Sequence, residues 1–198
     1  MGGGLQSSSA AMAPNVHPWV ALGVLVVLLG GGRARQITVD NGGPWGEWGE
    51  VEFCPKGSFV TGFQLKVEPP QGTFRDDTAL NGIRLLCNER GVITSSEGHW
   101  GQWLPAQGCP RSSRIISFRL RVEPSRGLWD DTAANDAAFF CSDGTTLEGG
   151  GGVRGLWGNW SESCPPNVGV CGLRTRVEAP QRTQDDTGLN SAVLLCCD

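Results

Sequence analysis

The sequence contains no tyrosine, and only two lysines and two histidines occur among its 198 residues. Its 16 Lys and Arg residues are outnumbered by 20 Asp and Glu residues, which gives a net charge of -4 at pH 7. A chain without a basic excess is not suited to nucleic acid or anionic membrane as its main partner. Beyond residue 34 no apolar run is long enough to span a bilayer, so we expect no membrane insertion of the mature protein.

Histidine-dependent catalysis and zinc binding are excluded by the same kind of absence. His99 is the only histidine beyond residue 34, so no Ser-His-Asp arrangement can be built, and no two cysteines have the C-x-x-C spacing of a zinc site. The glycine run at Glu148 to Gly152 does not connect a strand to a helix, and we interpret it as a linker between repeats. We therefore expect no metal and no cofactor.

The N-terminus carries the features of a secretory signal. Trp19 to Leu29 is an apolar run too short to span a bilayer, and Gly32 and Ala34 are small residues at the -3 and -1 positions of a cleavage site. A buried helix or an anchor is the alternative, and Met12 is an alternative start. We predict a signal peptide over residues 1–34, a single domain over residues 35–198, and a secreted, extracellular protein.

All eight cysteines follow the predicted cleavage site, an even number that indicates disulfides in an oxidising compartment. Pairs about thirty residues apart fit within one repeat, and each would stabilise the fold by about 3 kcal/mol on the loop-entropy model. The adjacent residues Cys196 and Cys197 could exchange partners. The predicted bridges are Cys54–Cys87, Cys109–Cys141, Cys164–Cys196 and Cys171–Cys197.

One unit occurs three times with a period of about 55 residues. Each copy opens with W-G-x-W, continues through a cysteine and a Val-Glu sequence followed by proline, and reaches an Asp-Asp-Thr-x-x-Asn phrase before a closing cysteine. The openings are Trp45–Trp48, Trp100–Trp103 and Trp157–Trp160, and the copies cover residues of about 45–87, 100–141 and 157–197. Several independent anchors keep the same spacing, so the repeat is well defined.

Within each copy the apolar residues alternate with polar ones. Phe63 and Leu65 alternate with Gln64 and Lys66, and the other copies repeat this pattern. A period of two predicts an antiparallel strand with one buried face, and 30 Gly and 12 Pro residues suit the turns between short strands. We predict an all-β protein of three similar sheets about a pseudo-threefold axis, with Trp, Phe and Leu side chains filling the middle.

The repeated phrase is the main candidate site, and two interpretations remain open. Asp, Thr and Asn side chains readily bond to nearby backbone in turns. Alternatively, three such loops at one end of the fold would form an acidic concavity for a sugar, for a hard cation or for glycoside chemistry. The candidate catalytic or ligand-binding carboxylates are Asp76, Asp77, Asp130, Asp131, Asp185 and Asp186, and the candidate ligand-binding amides are Asn81, Asn135 and Asn190.

Tryptophan and arginine provide a second group of candidates. An exposed Trp pair could stack on a sugar, but we favour core packing for these side chains. The outward basic residues are interpreted as solvated strand faces balanced by Glu68, Glu123 and Glu178 rather than as sites for acidic glycans. Asn159 begins the only N-glycosylation sequon, which a packed Trp160 would hide.

The W-G-x-W openings, the stretch "FQLKVEPPQGTFRDDTALNGIRLLC" and the terminal "LLCCD" resemble the vitelline membrane outer layer protein I family. The resemblance runs from about Gly42 to the C-terminus. It implies a β-prism of three four-stranded Greek-key sheets, as in jacalin-like lectins, and a secreted structural protein of an extracellular coat. It also implies, as an attributed activity, transfer of N-acetylglucosamine units between chitin-type oligosaccharides.

Two functional classes follow. The first is a secreted, disulfide-stabilised structural or binding protein of an extracellular coat or fluid that recognises carbohydrate, with extracellular glycans or matrix and coat glycoproteins as partners. The second is a weak glycan transferase that uses carboxylates of the Asp-Asp-Thr loops. The sequence offers no convincing catalytic pair, so we favour the first class.

We expect the secreted chain to begin near Arg35, because signal peptidase selects small residues at the -3 and -1 positions. N-terminal sequencing of protein recovered from the medium of expressing cells measures this directly. Secreted protein that still contains Leu22 to Leu29 would contradict the prediction.

Overall fold

The computed structural model describes residues 1–2, 34–69, 78–124, 134–180 and 187–197, and the regular structure in these ranges consists of β-strands alone. None of the described residues belongs to a helix long and apolar enough to cross a membrane. The strands are β1 (Arg35–Thr38), β2 (Glu47–Trp48), β3 (Glu52–Phe53), β4 (Val60–Val67), β5 (Leu80–Cys87), β6 (Val92–Ile93), β7 (Gln102–Trp103), β8 (Gln107–Gly108), β9 (Ile115–Val122), β10 (Ala134–Cys141), β11 (Thr146–Glu148), β12 (Leu156–Trp157), β13 (Gly169–Val177) and β14 (Leu189–Cys197).

The strands form three antiparallel sheets with a common topology. The first sheet has the order β6–β5–β4–β7, the second β11–β10–β9–β12 and the third β1–β14–β13–β2, and the short strands β8 and β3 pair with β4 and β13. In the first two sheets three consecutive strands lie side by side and the fourth returns beside the first, which is the Greek-key arrangement. The third sheet has the same spatial order but is completed by strands β1 and β2, which are distant in sequence from β13 and β14. The prediction of an all-β fold of three similar antiparallel sheets is therefore confirmed.

The long central strands bury one face in a common core. Strand β4 buries Phe63 and Leu65 and leaves Gln64 and Lys66 partly exposed, as its period-two sequence predicts. The rings of Phe63 in the first sheet and Phe139 in the second lie 4.2 Å apart between centroids. Burying each such side chain contributes about 1.5–3 kcal/mol, so the inward faces of the three sheets stabilise one another.

None of the tryptophans in the described ranges is part of this core, so the expectation that these side chains would fill the middle is wrong. The six tryptophans in the described ranges all retain solvent exposure, and Trp45 and Trp100 are 54% and 51% exposed. The inward positions of β4, β9 and β13 hold Phe and Leu instead. Three of the tryptophans lie on the two-residue edge strands β2, β7 and β12, where they cover the outer face of a sheet.

Each sheet receives an edge strand from a different repeat. Trp103 of the second repeat pairs with Lys66 in the first sheet, and Trp157 of the third repeat pairs with Arg121 in the second. Trp48, from the first repeat, pairs with Arg176 in the third sheet. The N-terminal strands therefore complete the C-terminal sheet, and the three repeats close into a ring.

These pairings correct the alignment of the third repeat. Trp157 takes the place of Trp48 and Trp103, although the sequence placed it as the first tryptophan of the opening. A glycine with positive φ stands two residues earlier in every copy: Gly46 (φ 79°), Gly101 (φ 83°) and Gly155 (φ 77°). The third opening is therefore Arg154–Trp157, and Arg154 stands where the first two copies have Trp45 and Trp100.

Four disulfides are present, and no cysteine is free. They are Cys54–Cys87, Cys109–Cys141, Cys164–Cys196 and Cys171–Cys197, so the predicted pairs are present and the exchange of partners between Cys196 and Cys197 is not. Three of them close a loop within one repeat of the sequence. The fourth lies within the third sheet, between β13 and β14.

The three repeated disulfides connect neighbouring sheets. The backbone N–H of Cys109 donates to Thr61 of β4 in the first sheet, while its partner Cys141 belongs to β10 in the second. Equivalent bonds from Cys54 to Cys171 and from Cys164 to Ile116 place the other two bridges between the third and first sheets and between the second and third. A bridge that appears local in sequence thus links two sheets of the ring.

The extra bridge is expected to stabilise the fold without determining it. Cys171 occupies the position of Thr61 in the first sheet, and Cys197 that of Asn88, so Cys171→Thr with Cys197→Asn reproduces a pair that the protein already accommodates. The double variant should fold with three bridges and lose about 3 kcal/mol of unfolding free energy on the loop-entropy model. Chemical denaturation and peptide mapping test this, and an altered pairing of Cys164 would contradict it.

Candidate functional site

The Asp-Asp-Thr-x-x-Asn phrases lead into the strands β5, β10 and β14. The predicted carboxylates lie outside the described residues: Asp76, Asp77, Asp130, Asp131, Asp185 and Asp186. The three asparagines that end the phrases, Asn81, Asn135 and Asn190, are described. The geometry of this part of the candidate site is therefore that of Thr78, Thr187 and the three asparagines.

Each phrase ends in a β-bulge that contains the asparagine. In the first sheet Lys66 pairs with Gly82 and Val67 pairs with Leu80, which leaves Asn81 as the extra residue. The same register shift leaves Asn135 and Asn190 unpaired in the other sheets. All three asparagines are buried, with at most 1% of their surface exposed. A bulge re-aims its extra side chain, which here points into the protein.

The threonine and asparagine of the phrase hold the turn together. Asn81 Nδ2 donates to Thr78 Oγ1 (2.6 Å), and this hydroxyl donates to Glu68 Oε2 (2.6 Å). The third copy repeats the chain from Asn190 through Thr187 to Glu178. Glu68 and Glu178 thus accept bonds from the phrase, whereas we had expected them to balance outward basic residues. Local bonding explains the described half of the phrase.

A glycine covers each of these asparagines. The backbone N–H groups of Gly43, Gly98 and Gly152 donate to the carbonyl oxygens of Asn190, Asn81 and Asn135 at 2.7, 2.6 and 2.7 Å. A Cβ atom on Gly98 would lie 2.2 Å from Asn81 Oδ1, and one on Gly43 would lie 2.4 Å from Asn190 Oδ1. Side chains are excluded at these positions, so the three glycines belong to the repeated fold.

The first and third phrases meet at one end of the prism. A Cβ atom on Gly188 would lie 2.6 Å from the carbonyl oxygen of Leu80 and 3.1 Å from Asn81 Oδ1. A cavity of about 10 Å³ lies between these two phrases, lined in part by His99 and Trp100. This volume holds at most one water, so it is no ligand site. No group of three or more His, Cys, Asp or Glu side chains in the described ranges is placed to hold a metal ion.

Several of the outward arginine side chains stack on tryptophan, which corrects their interpretation as simply solvated. The guanidinium of Arg119 lies between Trp157 and Trp160, 4.5 and 4.7 Å from their ring centroids, and Arg84 lies 3.9 Å from the centroid of Trp103. Such cation–π contacts contribute about 0.5–1 kcal/mol at exposed sites. Further bonds to backbone carbonyls come from Lys66, Arg121, Arg174 and Arg176. These side chains hold the edge strands and the adjoining loops against the central strands of the sheets.

The remaining tryptophans are more exposed. Trp45 and Trp100 directly precede the positive-φ glycines Gly46 and Gly101, and neither lies in an arginine stack formed by the described residues. Asn159 of the sequon is also exposed, and its Nδ2 donates to Asp40 Oδ2 (3.1 Å), so the neighbouring tryptophan does not hide it. N-glycosylation of Asn159 stays a prediction.

A larger cavity lies between the first and second sheets and has a volume of about 610 Å³. The end of β4 supplies one wall, the edge strand β7 another, and the loop after β11 the third. The lining residues are Val67, Glu68, Pro69, Gly101, Gln102, Leu104, Gly150, Gly151 and Gly152. The glycine run that we interpreted as a linker is therefore also the wall of a cavity of ligand size.

Asp136 lies beneath this glycine loop, and the sequence analysis missed it. Its carboxylate accepts a bond from the N–H of Ala137 (2.8 Å) and another from the N–H of Gly151. Burial raises the pKa of this carboxyl above its ordinary value, although the two N–H donors oppose the shift. The other copies have Gly82 and Ser191 here, so a comparison of the residues after the three asparagines would have indicated it.

Comparison with known proteins shows the family to which this chain belongs. The model of the family described as Vitelline membrane outer layer protein I matches residues 35–198. A vitelline membrane outer layer protein 1 homolog from Homo sapiens is 49% identical over 172 residues, covering 84% of each chain. The homolog from Mus musculus is 48% identical over 170 residues, covering 83% of this chain and 84% of the relative.

Solved structures with a similar fold include lectins. A prostate-specific WGA16 glycoprotein lectin has a TM-score of 0.53 at 11% identity, covering 77% of this chain and 91% of that one. An artocarpin–mannotriose complex has a TM-score of 0.53 at 13% identity, covering 83% and 98%. A mannose-specific jacalin-related lectin from Morus nigra, in complex with mannose, has a TM-score of 0.52 at 11% identity, covering 85% and 97%. These likenesses show the fold alone, and the comparisons give no support to the glycan-transfer alternative.

Asp136 should make stability depend on pH. Because the pKa of its carboxyl is raised in the folded protein, its stabilising contribution is complete below the unfolded value of 3.8 and is lost as pH rises through the raised value. Asp136→Asn mimics the protonated form. The melting temperature of this variant, relative to that of the parent protein, should therefore increase from acidic to neutral pH. Thermal melts across this range measure the difference.

Asp143 provides a control of opposite sign. The backbone N–H of Thr145 lowers the pKa of its carboxyl, so its contribution is present above 3.8 and is lost as pH falls. The melting temperature of Asp143→Asn, relative to that of the parent protein, should therefore decrease as pH rises. Parallel curves for the two variants would contradict the assignment of Asp136.

Proposed function

Because the chain belongs to the vitelline membrane outer layer protein I family, we propose that it is a secreted structural protein of an extracellular coat or fluid that binds carbohydrate without transforming it. Its partners are extracellular glycans or the glycoproteins that carry them. The exposed Trp45 and Trp100 are the observation on which the binding proposal depends.

An exposed indole ring is suited to the apolar face of a sugar. Trp45 and Trp100 stand at equivalent places in two copies, each fixed by the positive-φ glycine that follows it. Their rings offer a flat apolar face and an N–H donor, a combination that fits a ring with apolar C–H groups on one side and hydroxyls at its edge. The fold is also that of solved lectins, two of them described in complex with mannotriose or mannose, which supports a sugar ligand by analogy.

The disulfides fit an extracellular, structural role. Three bridges connect neighbouring sheets of the ring, and the fourth fastens the two longest strands of the third sheet. Such bonds persist in oxidising compartments and are rare where thiols are kept reduced. A protein stabilised in this way suits a coat or fluid where it must last without turnover.

Non-enzymatic binding is favoured over glycan transfer by the state of the described carboxyls. Glycoside chemistry needs a protonated carboxyl and an ionised one that face the same bond. Asp136 is the described carboxyl whose pKa is clearly raised, but it is buried and accepts bonds from two backbone N–H groups. Glu68 and Glu178 accept bonds from threonines of the phrases. These carboxylates serve the fold.

An array of neutral oligosaccharides, including chitin-type and mannose chains, tests the proposal. For a bound glycan, Trp45→Ala or Trp100→Ala should weaken affinity by about tenfold, which corresponds to roughly 1.4 kcal/mol of lost stacking. Leu156→Ala is the matched control, because Leu156 is an exposed apolar side chain near a third copy of the same turn. Binding that neither tryptophan variant weakens would contradict the assignment, and new oligosaccharide products would contradict the non-enzymatic role.

A further inference from the structure

We propose that the open cavity between the first and second sheets binds a neutral sugar ring, an inference that rests on the proposed carbohydrate binding. The cavity has a volume of about 610 Å³, within the range of roughly 300–1,000 Å³ that is usual for small-ligand sites. The cavity exists because three loops at equivalent places in the fold differ in sequence.

The three loops end at the glycines that cover the buried asparagines, Gly43, Gly98 and Gly152. Two residues earlier stand Asn41, Ser96 and Gly150. We use the word junction for the space between each loop and the edge strand of the neighbouring sheet. In two of the loops this residue fills the junction. Asn41 Nδ2 donates to the carbonyl of Leu120 (3.0 Å), and the carbonyl of Ser96 accepts a bond from Thr175 Oγ1 (2.6 Å).

The strand opposite these two loops is adapted to them. Gly158 faces Asn41, and a Cβ atom there would lie 2.4 Å from the amide of Asn41. Gly49 faces Ser96, and a Cβ atom there would lie 2.1 Å from Ser96 Oγ. These two junctions are therefore closed by a polar side chain packed on a glycine.

The third junction is open. Gly150 has no side chain, and a Cβ atom built on it would meet nothing within 4 Å. The N–H of Leu104 donates to the carbonyl of Leu65, as the N–H groups of Gly49 and Gly158 donate to equivalent carbonyls of the other sheets. Leu104 therefore takes the place of these two glycines, and it forms one wall of the space that remains. A run of glycines has thus left a cavity at one of three otherwise equivalent places.

The open junction is held in shape before any ligand arrives. The N–H of Gly149 donates to Ala137 (2.9 Å), that of Gly151 to the Asp136 carboxylate, and that of Gly152 to Asn135 (2.7 Å). A Cβ atom on Gly151 would lie 2.3 Å from the carbonyl oxygen of Asn135, so the loop lies directly on β10. A wall fixed in this way loses little conformational entropy when a ligand binds.

The lining chemistry indicates the ligand class. Val67, Pro69 and Leu104 provide apolar surface for the C–H face of a sugar, and the amide of Gln102 can both donate and accept bonds with hydroxyls. Glu68 is the one charged residue among the described lining residues, and its carboxylate is bonded to Thr78. An acidic sugar would meet a like charge here, so the site favours a neutral pyranose.

Gly150→Asn is the variant that closes the cavity at least cost to the fold. Asparagine tolerates the positive φ of 75° better than most residues, and the position has open space for it. Gly144→Asn is the matched control: its φ is 92°, it also has nothing within 4 Å, and it lies in the turn between β10 and β11, outside the lining of the cavity. Gln102→Ala is a second test variant, and Glu47→Ala is its control, because Glu47 holds the place of Gln102 at a closed junction.

Isothermal titration with N-acetylglucosamine trimer and with mannotriose, and amide NMR shifts of Gly150 and Gly151, test the inference on the mature protein. We expect one of these sugars to shift the two amides, and Gly150→Asn and Gln102→Ala to weaken binding by about tenfold or more while both controls leave it unchanged. A sialylated oligosaccharide should not shift the amides.

The outcomes separate this inference from the proposed function. Suppose that a sugar binds equally well to Gly150→Asn and Gln102→Ala but loses affinity in the tryptophan variants. This result would refute the cavity as the binding site and would leave the proposed carbohydrate binding in place. Failure of every neutral glycan to bind overturns both. Melting curves of the four variants, expected to match the parent protein closely, show whether a loss of binding comes from the site.

Discussion

Burial of one face of each of three sheets against the other two is the constraint on which the rest of this structure depends. A sheet with alternating sequence has an apolar face that it cannot bury alone. Here Phe63 and Phe139 meet from neighbouring sheets, and each sheet receives an edge strand from a different repeat. The disulfides follow the same logic, because three of them connect neighbouring sheets. No repeat is therefore a folding unit by itself.

The repeated hydrogen bonds at one end of the prism leave particular positions free to vary. Each copy uses an asparagine in a bulge and a glycine above it, so these residues cannot differ without disturbing the turn. The positions around them do differ. Trp45 and Trp100 correspond to Arg154, and Asn41 and Ser96 correspond to Gly150. A symmetric frame thus presents three unlike surfaces, and a ligand can distinguish among them.

Several features of the site could be predicted from the sequence only in part. The turn role of Thr78 and Asn81 follows from residue type, since these side chains favour local backbone bonds. The exposure of Trp48, Trp103 and Trp157 does not follow, because it depends on their position on edge strands that cover arginines of another repeat. The same exchange explains why the third opening was misaligned by three residues: two tryptophans three apart occur there, and only strand pairing identifies the equivalent one.

The sequence by itself determined the all-β class, the three copies and the pairing of cysteines within each copy, because period-two alternation and regular spacing are local properties of a chain. The tertiary structure decided where Asp136 lies and where the cavity opens. Both depend on how residues of different sheets are brought together, such as Gly149 beside Leu65, and Leu104 and Gly150 in the walls of one cavity. A glycine run has the same sequence in a linker as in a cavity wall, and only the neighbours that the fold brings to it distinguish the two.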